Sequence, residues 1–233
     1  MGPAEAQVPT GQGSRAAGKR LPALLFHGWM VTASALVLLF IFGPLANTVF
    51  SPSWQVFVDT LRDPDVLRSI WLSLSTSGTA AGIALVFGTP LAYVLARKDF
   101  PGKKLVESIV DLPIMIPHPV VGIALLSLAG RNNPFGAWLL SLGVTLMGTV
   151  TGIVAVLVFV GLPFYVNTVK AGMESVPPRL EKVSRSLGAG PGATFFRITL
   201  PLSWRYLLVG MIMCMARAIS EFGAIVIVAY HPM

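Results

Sequence analysis

Three stretches of the chain contain no Asp, Glu, Lys or Arg: residues 21–58, 69–96 and 132–169. Their apolar residues run on continuously rather than alternating with polar ones, which speaks against the strands of a membrane β-barrel. A helix crossing the hydrocarbon core of a bilayer needs roughly 20 consecutive apolar residues. The runs are also too long for buried helices of a soluble domain. The pattern predicts an all-α polytopic membrane protein with five spans, at about 26–50, 68–96, 105–130, 147–170 and 202–230.

Two segments interrupt the pattern. In "DLPIMIPHPVVG" (111–122), Pro113, Pro117 and Pro119 fall close together. Proline removes a backbone donor and its ring clashes with the preceding turn, so a regular helix is not expected there. Broken backbone at membrane depth must be buried in protein or line a watery cavity, which makes the segment a pointer to a translocation path. A short amphipathic helix and a turn before a span beginning near Pro119 would fit the same residues.

The second interruption is "AGMESVPPRLEKVSRSLGAGPGATFFRITLP" (171–201). Ser175 is placed to cap a helix whose first turn holds prolines, with Glu181 following. Leu180, Val183 and Leu187 share one face, and Gly188 ends the helix. A second helix begins in "GPGATFFRITLP", and Pro201 is expected to kink the chain into the last span. The product is a basic, amphipathic helix–Gly–helix elbow. Such an elbow can lie in the lipid interface or fit a groove on a soluble partner, and periodicity leaves both open.

Composition agrees: of 233 residues 54% are hydrophobic and 12% charged, about half the charge of a soluble domain. The net charge of +7 is explained by its placement. Thirteen of the 17 Lys and Arg lie in or beside 1–25, 97–104 and 171–201. The opposite loops hold three, Arg62, Arg68 and Arg131, and Arg217 lies within the fifth span. By the positive-inside rule the N-terminus is cytoplasmic, and anionic lipid rather than nucleic acid accounts for the basicity. Residues 1–20 read as a disordered tail. The run from Phe26 to Phe50 is longer than the apolar region of a signal peptide and lacks a clean cleavage site, so it is read as a retained span. Cys214, alone, can form neither an internal disulfide nor a CxxC metal site and reads as a small buried apolar residue.

Charges inside the membrane are the candidate chemistry. Arg217 and Glu221 are four residues apart and share a helix face. A lone Arg at mid-membrane costs roughly 3 kcal/mol on insertion scales, which pairing would reduce. The pair reads either as a structural tie or as a bias of the cavity toward anions. His118, between two prolines, can donate to an oxyanion, titrate near neutral pH or simply hold structure. Glu107 and Asp111, one turn apart, read as a wet helix face. No metal cluster or catalytic motif is found. "GAGPG" (188–192) lacks the Gly-Lys-Ser/Thr ending and preceding strand of a phosphate loop.

The elbow resembles the cytoplasmic loop of ABC importer permeases, whose pattern is EAA, three residues, Gly, nine residues, then I-x-L-P. Here Gly188 is followed by nine residues and Ile198-Thr199-Leu200-Pro201; Lys182-Val183-Ser184 stand in place of EAA, with Glu181 just before. "LRSIWLSLSTSGTAAGIALVFGTPLAYVLARKDFPGKK" is similar to the family's opening span and basic loop. "DLPIMIPHPVVGIALL" resembles the pathway segment of molybdate and tungstate permeases; "ARAISEFGAIVIVAYHPM" carries an S-E-F-G-A core shared by sulfate, molybdate and tungstate members, and its closing "AYHPM" is most similar to the molybdate/tungstate branch. The resemblance implies the fold of a type I ABC importer permease over 66–233, a homodimer, an ATP-binding cassette subunit, and an extracytoplasmic oxyanion-binding protein. It implies no cofactor and no catalysis by this chain.

The resemblance also implies coupling roles for Glu181, Lys182, Ser184, Gly188, Ile198, Leu200 and Pro201. Pro117, His118, Pro119, Arg217 and Glu221 are the expected gate and cavity residues. Residues 1–25 would be the cytoplasmic tail, 26–65 the first span and outer loop, and 171–201 the coupling loop. The family usually continues into one more span, so either a sixth follows Met233 or the last helix is absent. Rival readings are a sulfate or thiosulfate permease, an ATP-independent secondary transporter or channel, and a membrane scaffold.

Overall fold

The computed structural model describes residues 14–130 and 133–229, and all regular structure among them is helical. The chain divides into two compact units, Met1–Val66 and Leu67–Met233. The first contains α1 (Ser14–Phe50) and α2 (Trp54–Arg62). Residues 14–20, expected in a disordered tail, belong to α1; their Ala, Lys and Arg residues are strong helix formers and carry the helix outward from the apolar run. Residues 1–13 lie outside the described residues. The amphipathic α2 starts where the Ser53 hydroxyl accepts from the Val56 amide, a side-chain N-cap.

The second unit comprises α3 (Pro64–Ile83, its first turn crossing the boundary), a π-helical turn (Ala84–Gly88), α4 (Thr89–Arg97), α5 (Lys103–Met115), α6 (His118–Ala129) and α7 (Pro134–Ser141). Then follow α8 (Val150–Ser175), α9 (Pro178–Ser186), α10 (Pro191–Thr194), a second π-helical turn (Phe195–Thr199), α11 (Leu200–Ile219) and α12 (Gly223–Ala229). Among the described residues four helical stretches are long and apolar enough to cross a membrane: Leu25–Phe50, Pro64–Arg97, Val150–Ser175 and Pro191–Ile219. The α5–α6 pair qualifies as a fifth only if it counts as one broken span, because it bends by 113°.

That bend refines the reading of 111–122. Helix α5 runs through Pro113 to Met115, and the break falls at Ile116-Pro117, where both residues are extended. A proline disfavours helical backbone in the residue before it. Pro117 does this to Ile116, and α6 starts afresh at His118.

The chain stays helical through Pro201 rather than entering the span there, and the last long span begins near Pro191 instead of 202. The π-turn explains why. A proline ring collides with the carbonyl four residues back. A π-turn bonds i→i+5 and holds one extra residue, and here the Leu200 amide donates to the Phe195 carbonyl. The same solution recurs at Pro90: each proline sits two residues beyond its π-turn. The span then ends at Ile219 rather than near 230, with α12 separate after the break at Ser220–Phe222.

Helix α8 is the centre of this unit, packing on α4, α5, α6, α11 and α12. Tyr165, Val166, Val169 and Met173 on α8 join Ala92 and Leu95 on α4 and Leu207 and Cys214 on α11 in one buried cluster. Cys214 is buried, as expected. Lipid offers no hydrophobic drive for helices to associate, so close fit through small residues does the work. A Cβ on Gly161 would stand 2.6 Å from the Cys214 sulfur, and one on Gly172 would overlap the Tyr206 ring. Polar ties join α5 to α8: Lys170 to Glu107 at 2.5 Å and Asn167 to Asp111 at 2.7 Å. The two carboxylates expected on a wet face are therefore interhelical partners.

Candidate functional site

The elbow is held to the membrane helices by one carboxylate. Glu181, in α9, is 5% exposed. Its Oε1 accepts from Arg97 Nε at 2.8 Å and from the Thr199 hydroxyl at 2.7 Å. Arg97 also donates through Nη2 to the Val176 carbonyl at 2.8 Å. Three segments thus meet at the Arg97–Glu181 pair: the end of α4, the turn before α9, and the π-turn leading into α11. The ring of Tyr93 meets Phe195 edge-on at 4.8 Å, reinforcing the contact of α4 with that π-turn. Sequence reasoning missed Arg97 and Thr199. The available signals were an arginine closing a long charge-free run and the polar residue inside I-T-L-P.

Ser175 does not cap α9. It closes α8, where its hydroxyl donates to the Gly172 carbonyl at 2.7 Å, and Pro177 occupies the N-cap position of α9 with no side-chain cap. The helix instead gains from prolines, whose missing donors cost nothing in a first turn. At its other end Gly188 has φ +89°, the left-handed region that favours glycine. There the Gly188 amide donates to Arg185 and the Ala189 amide to Ser184. The Ser184 hydroxyl lies 3.1 Å from that of buried Thr194, which fastens α9 to α10. Lys182 is exposed. Leu180, Val183, Leu187, Ile198, Pro201 and Leu202 line an open apolar groove, with Arg179 and Arg197 among its walls. Leu200 turns the other way, against the main core cluster.

The second site lies where two broken helices meet. His118 opens α6 after the α5 break; Arg217 is in the last turn of α11; Glu221 sits in the gap before α12. Arg217 Nη2 donates to Glu221 Oε2 at 2.9 Å, and Nη1 donates to the Ser220 hydroxyl at 3.2 Å. His118 Nδ1 lies 2.8 Å from Arg217 Nη2 and 2.9 Å from Glu221 Oε2. A bare Nδ1 accepts from the guanidinium, and an Nδ1–H donates to the carboxylate. Glu221 Oε1 accepts from the Ala224 amide at 3.1 Å, which fixes α12 on the cluster. Burial is graded: the Glu221 side chain is 1% exposed, Arg217 17% and His118 54%. The four-residue spacing of Arg217 and Glu221 anticipated their pairing. Nothing in the spacing brought His118, 99 residues from Arg217, to the same point. Pro117 and Pro119 flank it, exposed.

Glycine is again required at the junction. A Cβ on Gly122 of α6 would stand 3.0 Å from the Ala224 carbonyl oxygen. Behind the ion cluster Val121, Val156, Val160, Ala224 and Val228 form a buried apolar cluster. The last four residues of "ARAISEFGAIVIVAYHPM" lie outside the described residues.

Comparisons with known proteins agree with this architecture. The profile of the family described as "Binding-protein-dependent transport system inner membrane component" matches residues 88–232. A protein of Thermococcus kodakarensis named molybdate/tungstate transport system permease protein WtpB is 46% identical over 76% of this chain and 67% of its own length. Its namesake from Methanocaldococcus jannaschii is 40% identical over 87% of this chain and 79% of its own. The sulfate transport system permease protein CysW of Escherichia coli K12 is 34% identical over 88% of this chain and 70% of its own. Among solved structures, a bacterial alginate ABC transporter in complex with an alginate pentasaccharide-bound periplasmic protein matches with a TM-score of 0.67. That match spans 94% of this chain and 81% of the matched chain at 18% identity, a likeness of fold. With the I-x-L-P elbow and the broken spans, the profile match establishes that this chain belongs to the inner-membrane permease family of binding-protein-dependent ABC transport systems.

Proposed function

We propose that this chain is the permease subunit of an ATP-driven importer for molybdate or tungstate. The observation that carries the reading is the margin among relatives. Permeases named for molybdate/tungstate are 40–46% identical over about three quarters or more of the chain, against 31–34% for those named for sulfate. Two copies of the chain form the pathway, with the N-terminus in the cytoplasm and the elbow on the same side.

ATP is hydrolysed by separate cassette subunits that receive the elbow, through the groove of Leu180, Val183, Leu187 and Ile198 and the exposed Lys182. Glu181 then has a different task from meeting that partner. Being buried against Arg97 and Thr199, it passes displacement of α9 to α4 and to the π-turn at once. Coupling of this kind is a shift between two states biased by nucleotide and by the docked partners. The pathway runs past His118, Arg217 and Glu221, where helix breaks leave polar groups for a desolvated oxyanion. An extracytoplasmic protein delivers the anion.

The test is reconstitution of this chain with its cassette subunit, followed by ATPase measurement with the binding protein loaded in turn with molybdate, tungstate and sulfate. Stimulation by the first two above sulfate is expected. Preference for sulfate overturns the substrate, and oxyanion flux without the cassette subunit overturns the ATP-driven mechanism.

A further inference from the structure

The cluster of His118, Arg217 and Glu221 holds its one strong cation already neutralised. Glu221 is almost wholly buried and lies 2.9 Å from Arg217 Nη2, whereas His118, beside both, is the member open to solvent. A fixed binding site for a dianion would not place a carboxylate there, since like charge repels the cargo. Removing that carboxylate in a low-dielectric region would leave an arginine that grips an oxyanion through charge-assisted, forked hydrogen bonds. A transport path needs binding strong enough to admit its cargo and weak enough to release it.

Resting on the reading of the chain as an oxyanion permease, we propose that these residues form an exchange site for a tetrahedral oxyanion, in which Glu221 is the built-in competitor. The anion enters from the exposed His118 side. Arg217 transfers its Nη2 hydrogen bond from Glu221 Oε2 to an oxygen of the anion. On departure, Glu221 takes the guanidinium back. Glu221 does not move far, because its Oε1 stays bonded to the Ala224 amide at 3.1 Å and holds it at the start of α12. Arg217 is likewise kept near by its second bond, to the Ser220 hydroxyl at 3.2 Å. The carboxylate is therefore present to expel the cargo and is unable to drift away from the cation. Neither an Arg alone nor a loose ion pair has both properties.

The two prolines and the helix break give His118 its position. It is the first residue of α6, and a Cβ on Gly223 would touch its own Cβ at 3.4 Å. Its ring therefore contacts the gap between α11 and α12, where the exchange takes place.

The experiment is equilibrium binding of radiolabelled molybdate to the purified complex of this chain with its cassette subunit, without the binding protein, paired with flux in vesicles. Glu221→Gln keeps an oxygen for the Ala224 amide and removes the competing charge. Losing competition worth one charge-assisted hydrogen bond should tighten binding about tenfold and slow flux by a similar factor, because cargo is retained. His118→Ala, at the exposed edge, should lower flux. It also serves as the decisive variant if Glu221→Gln fails to assemble. Molybdate binding unchanged or weakened in Glu221→Gln, or flux unchanged in His118→Ala, overturns the exchange site while wild-type flux leaves the transporter reading standing. Absence of wild-type flux for molybdate, tungstate and sulfate alike overturns both.

Discussion

Arg97 and Glu181, 84 residues apart in sequence, face each other at 2.8 Å with side chains 9% and 7% exposed. Both charges are nearly out of water; Glu181 is the counter-charge of Arg97, while Glu181 also has the more exposed Arg185 guanidinium 4.0 Å from its Oε2. Breaking a buried pair by removing one partner costs about 3–5 kcal/mol, because the survivor stays buried without a counter-charge. Glu181→Ala should therefore lower the melting temperature of the detergent-purified protein, and Arg97→Ala should do the same. The reversed pair, Arg97→Glu with Glu181→Arg, should recover part of the loss. Were Glu181 only a contact for an outside partner, the isolated chain would melt unchanged in Glu181→Ala.

The Thr199 hydroxyl bonds to the same carboxylate from the π-turn. Thr199→Val keeps the shape and removes the donor, which should cost about 1–2 kcal/mol. Thr199→Ser keeps the donor and should retain most of the stability. Equal melting curves for the two variants would remove the π-turn from the network.

Gly188 has a left-handed backbone, and a Cβ there would meet nothing within 4 Å. Any penalty for replacing it is conformational and not steric crowding by neighbours. Gly188→Val should cost roughly 1–2 kcal/mol locally and misdirect the start of α10, so that ATP hydrolysis runs with less transport per turnover. Gly188→Asn, which visits that region more readily, should stay closer to the parent. The ratio of flux to ATP consumed in proteoliposomes decides it.

Gly161 and Cys214 share one contact between α8 and α11. Gly161→Ala forces its new methyl to within 2.6 Å of the sulfur, overpacking that typically costs about 1–3 kcal/mol. Cys214→Ala removes that sulfur. The double variant should be more stable than Gly161→Ala alone, a non-additivity that a thermal double-mutant cycle would register.

Much of the frame was legible because membrane solvent imposes a simple rule on long spans. Runs without charge located α8 and the long α3–α4 stretch to within a few residues. The i,i+4 spacing anticipated the Arg217–Glu221 pair. Contacts that depend on tertiary approach were not legible: His118 reaches the pair only because α5 breaks at Ile116 and α6 leaves at 113°. Ser175 failed as a cap because its hydroxyl is satisfied inside α8, and a capping residue works only where the helix has already ended. The prolines misled in a consistent way. Pro117 ends a helix, whereas Pro90 and Pro201 do not, because a π-turn ahead of each removes the collision that sequence reasoning anticipates.

That π-turn sets the phase of the final span. From Ser203 onward the buried positions of α11 recur every three or four residues, at Leu207, Gly210, Cys214 and Ala218. Across the turn the buried pair Thr194 and Thr199 is five apart, which in an ordinary α-helix would put them about 140° out of line. The surplus residue absorbs that angle: Thr194 and Thr199 both reach α9, at Ser184 and Glu181, while Gly210 and Cys214 of the span meet α8. Pro201 pins the surplus in place, since any α-turn drawn across it would meet the ring. The elbow and the span are thus two gears cut to different pitch and keyed to a single shaft.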